Sequence, residues 1–301
     1  MKAVLLKAGI VCGFMLAILF HPLALHGQDL NLDQAKAGAD KGDANAEFCL
    51  AKFYANGQGV PQDFAKAAAL YRKAAEQGFG KAQNNLGVLY LQGKGVPKDE
   101  AEAINWLQKA ADQGLTKSQS TLAAILIKKD ASSQQAVDLY RKLAEQGDVN
   151  AQLHLGDTCY FGTKTIKRDY VEAAKWYSMA ANKGNAVGEN AIGAMNESGF
   201  GMPENDKAAF EWFRKAAEQG NAKGESNLGR MYADGTGGIE LNRPKAYMWL
   251  SVSAAQGETT AQNFLNEWVA ELKPQDLAEG KRLLDAYNAS HGTHIATYIG
   301  H

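Results

Sequence analysis

The sequence predicts an all-α solenoid, and three observations carry that prediction. A helix-ending motif recurs in phase: YRKAAEQG closes at Gly78, WLQKAADQG at Gly114, LYRKLAEQG at Gly147, WYSMAANKG at Gly184, WFRKAAEQG at Gly220 and WLSVSAAQG at Gly257. The units so delimited are 43–78, 79–114, 115–147, 148–184, 185–220 and 221–257, and a fixed period of this size marks stacked supersecondary repeats. Glycine supplies 31 of 301 residues and proline only 6, the balance expected of many short helices joined by tight turns.

The elements follow in chain order. Lys2 and Lys7 precede Ala8 to Phe20, thirteen apolar or small residues. That run spans about 20 Å as helix, short of a ~30 Å hydrocarbon core. Pro22 and then Leu25-His26-Gly27 follow, so residues 1–27 read as a secretory signal peptide cut after Gly27. Cys12 follows Val11 and therefore lacks the small residue that precedes a lipid-modified cysteine. The chain is expected to be exported, periplasmic or secreted from a bacterium, with a retained N-terminal anchor as the alternative. No later segment approaches a membrane span.

Hydrophobic residues make up 46% of the chain, enough to bury a core. Charge is balanced, 32 basic against 33 acidic residues, which leaves no electrostatic footprint for nucleic acid.

Residues 28–42 read as a lone capping helix. Each repeat then reads as two helices. In the second, Ala82, Leu86, Gly87 and Tyr90 share one face of a first helix. Gly93-Lys94-Gly95-Val96-Pro97 breaks it, and Asp99 caps a second helix with Glu102 placed for a capping box. Asp43, Asp148, Asn185 and Asn221 follow the closing glycines as N-caps of the next first helices. One column is small (Gly87, Gly156, Gly193, Gly229, with Ala51 and Ala123). Another is large (Trp106, Trp176, Trp212, Trp249, with Leu70 and Leu139). Small against large interdigitates without voids, so the tryptophan column is expected between adjacent repeats, with Trp106 and Trp212 buried. After Gly257, residues 258–288 read as two capping helices, with Pro274 at the first turn of the last, and 289–301 as a flexible tail.

The full pattern, A-x(3)-L-G-x(2)-Y-x(2)-G-x-G-V-x(2)-D-x(3)-A-x(2)-W-x(3)-A-A-x-Q-G, closely resembles the Sel-one-like repeat, a relative of the tetratricopeptide repeat, over about residues 29–288. The resemblance implies a right-handed α/α superhelix of six such repeats with helical end caps. It also implies a protein–protein interaction role, as an adaptor or scaffold holding a peptide or protein partner in a concave groove. Repeat three departs from the pattern, with Leu126 for the Tyr and both loop glycines missing; repeat four has Cys159 in the Tyr column and Lys164 for the second glycine.

In related solenoids the first helices line the concave face. Their columns here hold small or amide-bearing residues where the pattern requires nothing apolar. Asn84, Asn85, His154, Asn190 and Asn227, with Lys52, Asp157 and Arg230 beside them, are the candidate partner-binding residues. Asn can pair with both the N–H and the C=O of an extended peptide, whereas the bland alternative is capping or bridging within the stack.

Cys49 and Cys159 lie three repeats apart, roughly 25–30 Å at ~8–10 Å per helix layer, so no disulfide is expected. Cysteine-rich members of the family are linked to penicillin binding and weak β-lactam hydrolysis. A cell-envelope enzyme of that type is therefore one alternative function, and a secreted host-interacting factor another. No serine here has Lys three residues later, and the body of the chain holds one histidine, His154, so no catalytic residue, cofactor or metal is assigned. His291, His294 and His301 read as a solvated end, with divalent-metal binding as the alternative. Lys164, Lys167 and Arg168 read as a solvated loop, with contact to an acidic partner as the alternative.

Overall fold

The computed structural model describes residues 30–293 and 295; residues 1–27, expected to be a signal peptide, and His294 and His301 lie outside them. The described residues form helices and no strand. Helix α1 (Leu32–Ala39) precedes six pairs: α2 (Ala44–Asn56) with α3 (Phe64–Glu76), α4 (Gly80–Gln92) with α5 (Glu100–Asp112), α6 (Thr116–Lys129) with α7 (Gln134–Glu145), α8 (Val149–Phe161) with α9 (Tyr170–Ala181), α10 (Ala186–Ser198) with α11 (Asp206–Glu218), and α12 (Ala222–Asp234) with α13 (Arg243–Ala255). Then come α14 (Thr259–Trp268) and α15 (Pro274–His291). From α1 to α14 each helix packs on its chain neighbours, and α15 folds back on α13. That is the α/α solenoid the period demands, since a lone helix pair cannot bury its apolar stripe and stacked pairs can.

Local chemistry sets the ends. The side chains of Asp43, Asp148, Asn185 and Asn221 accept from the third backbone N–H of their helices. Asp99 does the same from Glu102 N, but no capping box forms there: the Glu102 carboxylate turns along the helix and accepts from Trp106 Nε1 at 3.1 Å. Gly95 has φ 70°, and a Cβ there would run into the Phe64 backbone, so this glycine lets one repeat's loop close on the previous repeat's second helix. Repeat four lacks that glycine, and Thr165 Oγ1 instead donates to Ser132 O at 2.8 Å. In repeat three only Asp130–Ser133 separate the helices, and Ser133 caps α7.

The glycine column does not face the tryptophans. A Cβ at Gly87 would meet Leu107, at Gly156 Tyr177, at Gly193 Phe213 and at Gly229 Leu250. The interior column is thus one residue after the tryptophans, on the second helix of the same repeat. Trp106 and Trp176 are buried, as expected, but Trp212 and Trp249 are half-buried. An indole is amphipathic and takes the margin of the stripe, where Lys109, Lys175 and Lys215 lie 4.2, 4.6 and 4.1 Å from the Trp106, Trp176 and Trp212 rings. At the C-terminal end, Leu272 and Leu284 are buried with Tyr247 and Leu250 while Trp268 and Tyr287 pack around them. The last helix runs past Tyr287 to His291, whose ring stacks on Tyr287 at 4.0 Å.

Candidate functional site: the polar face of the first helices

The first helices present the candidate columns side by side, yet several members turn into the stack. Asn84 is buried: its Oδ1 accepts from Ser118 Oγ at 2.9 Å, joining repeats two and three, and its amide donates to Asn85. Asn85 also hydrogen-bonds the Tyr71 hydroxyl. Asp157 accepts from the Tyr177 hydroxyl at 2.6 Å; burial first, and that carboxylate second, push the phenol's pKa up. Arg230 Nη2 contacts Glu197 at 2.6 and 2.8 Å, tying repeat six to repeat five. Asn84, Asn85, Asp157 and Arg230 thus take the bridging alternative, each spending a polar atom on another helix. A buried polar side chain is satisfied inside the fold, as Asn84 is by Ser118.

Of the other candidates, Lys52 and His154 are exposed and Asn190 and Asn227 are half-buried. Lys52 is exposed, with Nζ 5.8 Å from the Phe48 ring. It borders a recess of about 260 Å³ with Leu30, Cys49, Phe53 and Gln58. His154 is exposed and stacks on Tyr140 of the preceding repeat at 4.4 Å. Asn227 Nδ2 donates to Asn190 Oδ1 at 2.9 Å across repeats five and six. This pair borders a second recess, of about 140 Å³, whose other walls are Lys223, Ser226, Glu258 and Thr260. Three successive first helices, α10, α12 and α14, thus share one hollow.

One further polar column does not stand out in the sequence. Glu47, Gln83, Gln119, Gln152, Glu189 and Glu225 occupy the same place in the six first helices, and all are buried. Gln83, Gln119 and Gln152 donate to the carbonyls of Ala75, Ala111 and Ala144 at 3.1, 3.2 and 3.1 Å, clamping each repeat to its predecessor. The three acids instead accept from the glutamines of the closing motif: Glu47 from Gln77, Glu189 from Gln219 and Glu225 from Gln256. Burial raises the pKa of all three, that of Glu225 to about 7. The signal was an unbroken Glu/Gln column, legible only once its burial is known.

Cys49 and Cys159 are free and buried. Among the described residues no three His, Cys, Asp or Glu side chains gather as a metal-ligand set, and no helix is long and apolar enough to cross a membrane.

Fold and polar face together define a tetratricopeptide-like helical repeat protein. The Sel1 repeat profile matches residues 44–79, 80–115, 126–148, 149–185, 186–221 and 222–258, and the chain belongs to that family. The third match begins only at residue 126, in the repeat with the shortened loop. Among curated proteins, the chain is 39% identical over 70 residues to the ERAD-associated E3 ubiquitin-protein ligase component HRD3A of Arabidopsis thaliana. It is 36% identical over 83 residues to protein sel-1 homolog 2 of Homo sapiens. These matches cover 23% and 27% of this chain and only 10% and 12% of those relatives. Among solved structures, the protective antigen c5321 of uropathogenic Escherichia coli strains, which displays an SLR fold, aligns with TM-score 0.58 and 29% identity over 88% of this chain and 68% of its own. A Sel1 repeat protein from Oxalobacter formigenes aligns with TM-score 0.54 and 30% identity over 73% of this chain and 90% of its own. Sel1 repeat proteins are protein–protein interaction modules, and their fold is typically a non-enzymatic scaffold.

Proposed function

We propose that this chain is an exported adaptor or scaffold, working in the periplasm or outside the cell, that holds an extended polypeptide on the polar face of its first helices. The observation that carries the reading is the Asn190–Asn227 pair. With Asn227 Nδ2 donating to Asn190 Oδ1, the Asn190 amide is left to donate and the Asn227 oxygen to accept. A donor and an acceptor beside a recess spanning three first helices match the C=O and N–H of one peptide unit. The export half of the reading rests on the segment Lys2 to Gly27.

The test is photo-crosslinking from position 223, beside the recess, and from position 66, on the second helix of repeat one, with the crosslinked polypeptide identified by mass spectrometry. Crosslinks from 223, weakened at least tenfold by Asn190→Ala with Asn227→Ala at an unchanged melting temperature, are the expected result. Crosslinks only from 66, or a double variant that captures as much as the parent, overturn it. Fractionation, with N-terminal sequencing expected to start at Gln28, tests the export half.

A further inference from the structure

The internal repeats act as their own control, because equivalent positions show what the solenoid needs. At the place of Phe161 the other repeats carry Asn56, Gln92, Lys128, Ser198 and Asp234. At the place of Phe200 they carry Gln58, Lys94, Thr163 and Thr236 where the loop is full length. Stacking therefore requires nothing aromatic at either site. Yet Phe161 is 68% exposed and Phe200 39% exposed, and Val171 beside them is 68% exposed.

These rings are not scattered. Tyr160 packs edge-on against Phe161 at 4.9 Å and against Tyr170 at 5.2 Å, and Tyr170 stacks on Phe200 at 4.7 Å and 8°. Two successive repeats thus build one aromatic strip along their loop edge, away from the Asn190–Asn227 recess. The loop of repeat four that departs from the family pattern runs beside it. Arg168 lies 5.6 Å over the Tyr170 ring and donates to its hydroxyl at 3.0 Å. Lys164, Lys167 and Arg168 are exposed, and among the described residues no carboxylate pairs with any of them. The nearest acid in sequence, Asp169, is committed to capping α9 through Glu172 N.

We propose that this loop edge is a second docking surface, which takes an acidic polypeptide segment anchored by an apolar or aromatic side chain. Unpaired cations set the charge of the occupant, and exposed rings supply the desolvated anchor. Aromatic residues with arginine at the centre of a patch are the composition of protein-binding hot spots. The rings spend their faces on one another and so form a fixed relief rather than free wedges, which favours a polypeptide over a lipid surface.

The experiment pans a random peptide library on the full chain and on a variant with Phe161→Ser and Phe200→Thr. Those substitutions install residues that repeats five and six already carry at these places, so the helical signal and melting curve should match the parent. The expected enrichment is peptides with two or more Asp or Glu next to Phe, Trp or Leu. Their affinity should fall at least tenfold on the variant, and at least threefold when Lys164, Lys167 and Arg168 become Ala. Vesicles of phosphatidylcholine with phosphatidylglycerol are titrated in parallel. Three results overturn the proposal: no enrichment above the variant, enrichment of basic or uncharged peptides, or loss on the variant of vesicle binding alone.

Discussion

Gln256 donates its side-chain amide to Glu225 Oε2 at 2.7 Å, while Glu225 Oε1, fully buried, has no partner among the described residues. In repeats two, three and four a glutamine fills this place and reaches the carbonyl eight residues earlier. The equivalent carbonyl here belongs to Ala217. A carboxylate cannot donate to it; a carboxylic acid can. Burial, against the opposing Gln256 hydrogen bond, moves the Glu225 pKa up to about 7, and Tyr287 of α15 senses the charge when it forms.

The sign of the pH dependence follows. The folded protein holds the proton more tightly than the unfolded chain, so the stability tied to Glu225 is complete below about pH 4.5. It is lost as pH rises toward about 7, then stays constant. The gap between those pKa values corresponds to about 3 kcal/mol at ~1.4 kcal/mol per tenfold. Glu225→Gln installs the residue of the neighbouring repeats, with an amide for Ala217 and an oxygen for Gln256. It should stabilise the protein by about 3 kcal/mol at pH 8 and change little at pH 4.5. Glu47 and Glu189 titrate in the same direction, so the readout is the parent-minus-variant difference in urea midpoints. A pH-independent difference would show that Glu225 folds as a carboxylate.

Phe213 and Trp212 separate the interior column from its margin. Phe213 is fully buried against Gly193, whereas Trp212 is half-buried with Lys215 over its ring. Phe213→Ala should cost about 3–5 kcal/mol. Trp212→Ala should cost less, about 1–2 kcal/mol, because part of the indole already meets water. Equal losses in melting temperature would return the tryptophans to the interior.

The one-residue offset between those columns marks where the sequence stops being legible. Repeat number, caps and loop breaks are local properties, and Asp43, Asn185 and Gly95 declare them in the chain itself. Both Trp212 and Phe213 are apolar and adjacent, so periodicity alone cannot say which one meets the glycine. The candidate site fares similarly. Asn84 and Asn190 are the same residue type in the same column, yet Asn84 meets Ser118, 34 residues on, and is buried, while Asn190 meets Asn227 at a recess. Pairing across a repeat depends on both partners and on the stagger between helices. The Glu/Gln column is hidden for a related reason: polar residues read as surface until their neighbours are known to cover them.

Gly193→Ala gives a prediction whose sign discriminates. In an open helix position Ala is favoured over Gly by about 1 kcal/mol. Here the added Cβ would lie 2.7 Å from the Phe213 ring, which cannot withdraw because it fills the interior. The substitution should destabilise by about 1–3 kcal/mol. A gain in urea midpoint would mean that the helices leave room at this crossing.

The thiols test both the stack and the proposed removal of residues 1–27. The chain has three cysteines, Cys12, Cys49 and Cys159, and the first lies within residues 1–27. Cys49 and Cys159 are buried without a disulfide, and burial raises the Cys159 pKa, so its reactive thiolate is scarce at neutral pH. Native protein purified from its own cells should therefore react slowly with a thiol reagent. Denatured protein should react rapidly, with two equivalents if the segment has been removed and three if it is retained. Mass spectrometry assigns each label to its residue. Rapid native labelling of Cys159 would show that the α8–α9 packing opens, and a Cys49–Cys159 bridge would require repeats one and four to touch, which stacked repeats forbid.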